Sequence, residues 1–433
     1  MEKARSAADA PDRNKWKKRG LRRMRQTRIS EVKSSIRYLE QREKRTSRAL
    51  YEAAFPEDSK EFIDYYYEWK TKDNEVIVME GAANDRAFHV MIHLNPYEID
   101  INGNTKKVPY IVAVATDIRY RRQGKMGRVM ERALQDMEHR QVPFTFLLPA
   151  DPAYYRGQGF VFFPCQDYLQ RGGICFDAGD GTDLLRAASL NPPINDMDEA
   201  GWKPASEKDC QEMALFSNRI LADKCEVFIK RSKSYYHRLL KELASEHGGA
   251  LLLKKSALEN GDTLLKERAL EHGGVQLKER AWEYDGVQSK EQGLYGILLY
   301  SVSGIERKTA EIKELLLRDS ISGEEAEQIC RDALKGAGCT VNTIRFTSSR
   351  MMVRVTNLRA LVPLLRSKRR TALYVKVTDS LLNKNNGCFR IEISRAGGCI
   401  SDISEESVRQ QMDIGELAET LLQHTSVYLN EWV

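Results

Sequence analysis

No apolar run in this chain of 433 residues exceeds about five residues, against the ~18 that a membrane-spanning helix requires. The opening residues also lack the apolar stretch of a secretory leader, because Trp16 and Leu21 stand among cations. These absences predict a cytoplasmic protein with no membrane partner. Cysteine is sparse: eight residues, at 165, 175, 210, 225, 330, 339, 388 and 399, form no CxxC pair and no metal-ligand spacing. They read as buried or partly buried thiols in a reducing compartment, and no metal is expected. Of the seven histidines, the five other than His89 and His93 lack the serine, cysteine or carboxylate company of a triad. His89 and His93, alternating on one predicted strand, read as structural. Two phosphate-binding signatures are missing as well, the GxxxxGK(S/T) nucleotide loop and the GxGxxG dinucleotide fingerprint.

What is present starts with size. The length predicts two or three domains, and 42% hydrophobic residues suffice for packed cores. The net charge of +6 is unevenly spread: residues 1–30 hold eleven Lys or Arg against three Asp or Glu, so the remaining 403 residues carry −2. Arg13–Arg28 contains nine cations and no anion. Residues 1–35 therefore read as a solvated, disordered basic tail. Nucleic-acid contact by that tail is the alternative, resting on charge alone.

The most informative stretch is Tyr110–Phe160. Ile111–Ala115 are five small or β-branched apolar residues, which predicts a buried strand. A turn with Arg121, Arg122, Gln123, Gly124 and Lys125 follows. Met126, Met130, Leu134 and Met137 then recur at helical spacing. A strand, a basic glycine-bearing turn and a helix start make an anion site, because the first amides of a helix are unpaired and its dipole is positive there. The expected guest is a pyrophosphate.

Arg121-x-x-Gly124-x-Met126-Gly127 after a strand resembles the acetyl-CoA loop of GNAT N-acetyltransferases, with Met126 where Gly or Ala is usual. Residues 36–165 more specifically resemble the amino-terminal domain of the Eis family, in which a bulky residue at the Met126 position is usual. That likeness is carried by Ala53-Ala54-Phe55-Pro56-Glu57-Asp58-Ser59, Met91-Ile92-His93-Leu94-Asn95-Pro96-Tyr97, Val112–Gly127, and Leu148-Pro149-Ala150 with Tyr155, Gly159 and Phe160. The terminal Tyr428-Leu429-Asn430-Glu431-Trp432-Val433 resembles the family's closing segment. The resemblance implies an α/β (α+β) chain: a GNAT domain over 36–165, a degenerate GNAT-like domain over 166–310, and a sterol-carrier-like α+β domain over 311–433. It implies acetyl-CoA as cosubstrate, a primary amine acceptor of aminoglycoside, polyamine or lysine type, direct attack in a ternary complex, and assembly into hexamers. A lipid- or ligand-binding protein with a vestigial acetyl-CoA site is the alternative.

Site roles follow from the same resemblance. On the cofactor-binding strand Val112–Thr116, the backbone N–H of Val114 would meet the thioester oxygen and Thr116 would run along the pantetheine, and residues 121–126 would bind the pyrophosphate. Tyr155 would protonate the departing thiolate; a phenol near pKa ~10 lies close enough to a thiol near ~8.5 for useful proton donation. Tyr154 beside it competes for that role. The terminal carboxylate of Val433 would attract and orient the acceptor cation; at pKa about 3.5 it is a weak base for an ammonium near about 10.

Elsewhere the patterning predicts helices over Ile36–Leu50, Ser59–Trp69, Glu212–Leu221, Ser234–Leu243 and Asp413–Leu422. It predicts strands over Val76–Glu80, Ala87–Leu94, Val108–Ala115, Phe144–Leu148, Gly296–Ser301, Arg345–Thr356, Leu373–Asp379 and Cys388–Ser394. Asn385-Asn386-Gly387 signals a hairpin. A twelve-residue repeat, Ala257–Arg268, recurs as Ala269–Arg280 and loosely as Ala281–Gln292, with a fainter copy from Ala244. Such a period is too short for a solenoid, so the insertion at 244–292 reads as an expanded β-hairpin connection on the surface.

Overall fold

The computed structural model describes residues 35–81, 87–163, 200–255, 293–303, 309–318, 323–339, 341–346 and 350–431. The basic segment 1–34 and the repeats from 256 to 292 lie outside them. In chain order the first part contains β1 (Ile36–Tyr38), α1 (Arg48–Ala54), α2 (Lys60–Trp69), β2 (Glu75–Glu80), β3 (Phe88–Ile101), β4 (Asn104–Thr116), α3 (Lys125–His139), β5 (Phe144–Leu147), the single turn α4 (Ala153–Arg156) and β6 (Val161–Phe162). The middle holds β7 (Ala200–Pro204), α5 (Cys210–Lys224), β8 (Val227–Ile229), α6 (Lys233–Ser245), β9 (Gly249–Lys255), β10 (Leu294–Ser303), β11 (Thr309–Leu317), α7 (Gly323–Gly336) and β12 (Thr343–Phe346). The last part holds β13 (Met352–Val355), β14 (Thr371–Thr378), β15 (Gly387–Ser394), β16 (Gly397–Asp402), β17 (Gln410–Asp413), α8 (Ile414–Leu422) and β18 (Val427–Tyr428).

Three sheets organise these elements. The first runs β1-β2-β3-β4-β5-β13-β6, with β8 on the far half of β3 and β18 on β8. The second runs β12-β11-β10-β9-β7, and the third β16-β15-β14-β17. Helix α3 buries Val129, Met130, Ala133, Leu134 and Met137 against Ile77, Ile92 and Ile111 on one face of the first sheet. On the other face, α1 and α2 bury Tyr51, Phe62 and Tyr66 against Val76, Met91 and Ala113. Ser59 caps α2 by accepting from the Phe62 N–H, and Asp413 with Glu416 forms a capping box on α8. Among the described residues, no helix is long and apolar enough to cross a membrane.

Several elements depart from the sequence reading. Ile36–Leu50 is not one helix: Ile36–Tyr38 pairs antiparallel with β2, and only Arg48–Ala54 is α-helical. Cross-strand bonding wins there because Arg37 bridges Glu80 on β2 and Glu43 beyond the strand. Strands β3 and β4 extend well past their predicted ends to a two-residue turn at Asn102-Gly103, where φ is 52° and 83°. That dipeptide is the standard signal for such a turn. The predicted strand Arg345–Thr356 is two strands in different sheets. β12 pairs with β11 in the second sheet, whereas β13 enters the first between β5 and β6, with Val353 opposite Phe146 and Met352 opposite Phe162. Strand β11 straddles the expected boundary at 311 and pairs with β10. Asn385-Asn386-Gly387 does lie in a hairpin connection, but the connection spans 379–386 and folds around the Asp379 carboxylate rather than a tight turn. Strands β9 and β10 are antiparallel neighbours, so the repeats do interrupt a hairpin. The fainter copy from Ala244 is structural: it ends α6 and forms β9, which buries Leu251, Leu252 and Leu253. Of the described thiols Cys399 is exposed, unlike the buried or partly buried thiols expected.

A fully buried ion pair holds the middle of the chain to its end. Arg231 donates to both oxygens of Glu314 on β11, at 2.6 and 2.5 Å. Tyr236 accepts from the same guanidinium, and the Tyr428 hydroxyl of β18 donates to Glu314 at 2.6 Å. Removing one partner strands the other charge in a dry interior. Arg231→Met is therefore expected to cost about 3–5 kcal/mol, read as a lowered urea midpoint. Replacing both residues by apolar side chains should recover much of that loss.

Candidate active site

Strand β4 is paired with β3 along one edge, but with β5 only at Tyr110↔Phe146 and Ile111↔Leu147. Beyond that point β5 ends while β4 continues to Thr116. Among the described residues no strand pairs with Val112–Thr116 on the β5 side. A bulge sharpens the opening: the register slips between Met91 and His93, and Ala113 takes a φ of 50°. Such bulges bend a strand and re-aim its backbone groups. The predicted site residues Val112, Val114 and Thr116 all lie on this free edge.

The basic turn sits directly after it. Gly124 at φ 68° precedes Lys125, the first residue of α3, and no side chain caps the helix start. Its first amides therefore face outward, as an anion site requires. Arg121, Arg122, Gln123 and Gly124 are exposed. Arg121 Nε folds back onto the Thr116 carbonyl at 3.1 Å, tying the turn to the free strand edge. Lys125 points elsewhere, with Nζ 2.9 Å from His89 Nδ1 and 4.6 Å from the Tyr120 ring centre. Met126 packs against the core beneath α3, with its sulfur 3.9 Å from Gln158 Nε2.

Tyr155 and Tyr154 have opposite placements on α4. Tyr155 is 6% exposed, whereas Tyr154 is 62% exposed. Tyr155 packs edge-on to Phe160 with ring centres 5.8 Å apart, in the same core as Met130 and Leu147, with Val114 packed against it. Burial, with a smaller contribution from Tyr154, pushes its phenol up to about 12. It is therefore protonated at neutral pH.

A second polar group lies at the junction with the middle domain. The Glu431 carboxylate accepts from Tyr97 at 2.6 Å and from Tyr235 at 2.7 Å. Lys70 Nζ bridges Tyr97 at 3.3 Å and Glu242 at 2.9 Å, and Tyr65 also donates to Glu242. A small cleft opens here, lined by Lys70, Asn95, Tyr97, Tyr235, Arg238 and Glu431 among others. Burial raises the Glu431 carboxyl above its ordinary range, against the lowering pull of the Lys70 ammonium and the two phenols. An aromatic strip joins cleft and splay: Tyr97 contacts Tyr110 at 6.0 Å, and Tyr110 stacks on Phe146 at 5.0 Å beside the last β4–β5 pair. The predicted Val433 lies outside the described residues, two positions beyond Glu431.

Glu431, Tyr97 and Ala113 were not singled out by the sequence reading. A carboxylate two residues from the end was visible, but its partners Tyr97 and Tyr235 are 334 and 196 residues away.

Comparison with known proteins fits this geometry. Residues 35–163 match the family model described as acetyltransferase (GNAT) domain, and residues 358–430 match the sterol carrier protein domain. The chain carries an acetyltransferase (GNAT) domain followed by a sterol carrier protein domain. Its whole architecture recurs in solved structures of low identity. A probable N-acyltransferase from Enterococcus faecalis is 13% identical with a TM-score of 0.59, over 90% of this chain and 89% of that one. A GCN5-related N-acetyltransferase from Anabaena variabilis is 12% identical with a TM-score of 0.58, over 90% of each chain. An Eis protein from Mycobacterium abscessus is 11% identical with a TM-score of 0.53, over 90% of this chain and 89% of that one. No curated protein matches significantly. The splayed β4 edge and the Gly124 turn thus stand in an acetyltransferase (GNAT) domain, whose general chemistry is acyl transfer.

Proposed function

We propose that the protein transfers the acetyl group of acetyl-CoA to a primary amine by direct attack in a ternary complex. The observation that carries this reading is the opening between β4 and β5, followed by the uncapped α3 start, with Tyr155 in the core against which Val114 packs. The pyrophosphate would rest on the turn 121–126, and the pantetheine would run along Val112–Thr116. The thioester oxygen would accept from the Val114 N–H, a preorganised donor for the charge that develops there. The reacting amine is neutral at attack; its nitrogen bonds to the thioester carbon as the C–S bond breaks, and the nitrogen's surplus proton passes to solvent. Tyr155 gives its proton to the departing sulfur and regains one from solvent.

The acceptor would approach from the Glu431 cleft. A carboxylate held by two phenols attracts a cation, and the carboxylate of Val433, two residues on in sequence, would add a second anion. This supports a cationic amine of aminoglycoside, polyamine or lysine type. Assembly as a hexamer belongs to the same reading.

Release of free CoA from acetyl-CoA, by protein with an untagged C-terminus, tests it against aminoglycosides, polyamines and lysine peptides. Amine-dependent release is expected. Folded protein that releases no CoA with any of these amines would count against the reading. A short C-terminal extension should slow the reaction at least tenfold if Val433 takes part; an unchanged rate would remove Val433 from the site.

A further inference from the structure

We infer that Arg354 is a positioning residue for acetyl transfer, fixing from β13 the turn that carries Tyr155. This rests on the general-acid reading of Tyr155 above. Arg354 is fully buried and uses all three guanidinium nitrogens. Nε donates to the Gln158 carbonyl at 2.6 Å, Nη1 to the Val355 carbonyl at 2.5 Å, and Nη2 to Asp379 Oδ1 at 2.7 Å. Gln158 belongs to the turn of Tyr155: its N–H donates to the Tyr155 carbonyl at 2.9 Å, and the Gly159 N–H to that of Arg156 at 3.0 Å.

The turn needs an external hold. A helix of one turn such as α4 has no independent stability, because nucleation costs more than one hydrogen bond returns. Gly159, at φ 78°, has no room on the side where Arg354 lies: a Cβ there would stand 2.9 Å from Arg354 Nε and 2.9 Å from Ile414 Cγ2. Gly159 is thus pressed between a guanidinium from β13 and an isoleucine from α8.

Asp379 fixes the guanidinium in turn. Its carboxylate also accepts from the Leu381 and Leu382 N–H groups and from Asn385 Nδ2, at 3.0, 3.1 and 2.9 Å. Those residues lie in the β14–β15 connection, within the stretch matching the sterol carrier protein domain. Stability alone does not call for such a pair, since well-packed apolar residues serve as well as a buried ion pair. What an apolar residue could not do is fix the direction of the Gln158 carbonyl. The last domain thereby sets the orientation of Tyr155.

The test is a double-mutant cycle on the full chain, with folding checked by near-UV circular dichroism and thermal melting. Arg354→Lys keeps a charge for Asp379 but loses the planar fork. It should lower kcat roughly tenfold or more, since small misplacements of a catalytic group are this costly, and leave the KM for acetyl-CoA unchanged. In a Tyr155→Phe background the same change should cost nothing further. Arg354→Gln, which can still donate to Asp379, serves if the lysine variant does not fold. Equal losses in both backgrounds, or no loss in either, would overturn the inference. If Tyr155→Phe alone leaves kcat intact, the general-acid reading falls and this proposal with it, a result distinct from additive losses.

Discussion

Tyr155→Phe is expected to lower kcat by roughly 10²–10⁴-fold, the range for losing a positioned general acid, with acetyl-CoA affinity unchanged. Only the hydroxyl is removed, and the ring contact with Phe160 survives. Burial cuts both ways for this residue. A phenol pushed up to about 12 is a poorer acid toward a thiol of about 8.5. Yet a thiolate forming against the same apolar wall loses its own hydration, and desolvation raises its proton affinity too. The two shifts offset each other, which leaves the transfer feasible. The sign also bears on pH: the proton is lost only as pH rises toward about 12. Tyr155 should therefore impose no alkaline limb on kcat at neutral or mildly basic pH. Tyr154→Phe, changing an exposed side chain, should leave the rate within about twofold of wild type, as a surface change usually does. A pH profile of kcat for all three proteins decides this; a full rate from Tyr155→Phe would refute the assignment.

Most of the first domain was legible because its signals are local. The run Ile111–Ala115, the glycine before α3 and the methionines at helical spacing each act over a few residues. The splay of β4 from β5 is not written in these residues, and Ala113 gives no hint of its positive φ. Distance along the chain explains the other misses. β13 reads as an ordinary apolar strand, and nothing in Met352–Val355 says that its partners are Phe146 and Phe162 rather than its neighbours in sequence. Arg354 looks like a surface residue on an alternating strand, since its burial depends on Asp379 and on a carbonyl 196 residues upstream. At Ile36–Leu50 the helical pattern was real from Lys44 onward, as a 3-10 turn at Lys44–Ser47 leading into the α-helix from Arg48, and ion pairing across to Glu80 overrode it for Ile36–Tyr38. The repeats were read as an interrupted hairpin with only the strand after them predicted; β9 before them passed for a faint repeat copy.

Glu431→Gln carries the other large expectation, a rise of roughly 10- to 100-fold in the acceptor KM, equivalent to one charge-assisted hydrogen bond of about 1.5–3 kcal/mol. The KM for acetyl-CoA should not move, because the turn at 121–126 belongs to a separate part of the domain. Gln keeps the size of Glu and can still accept from Tyr97, so the cleft keeps its shape. What it loses is the charge that draws a cationic amine past Lys70. The carboxyl's raised pKa adds a second signature. Folded Glu431 holds its proton more tightly than the unfolded chain does, so its contribution to stability is fully present below the unfolded pKa of about 4.3. It is lost as pH rises through the folded value. The variant has no such proton, and should lose less stability than wild type between acid and neutral pH. The same ionisation should give the acceptor kcat/KM of wild type an acid limb above the ordinary carboxylate range, absent from the variant. Denaturant melts and acceptor kinetics at matched pH values measure both. An unchanged acceptor KM would move the amine site away from Glu431, whereas a changed KM with identical pH slopes would mean that Glu431 binds the acceptor without the buried proton inferred from its surroundings.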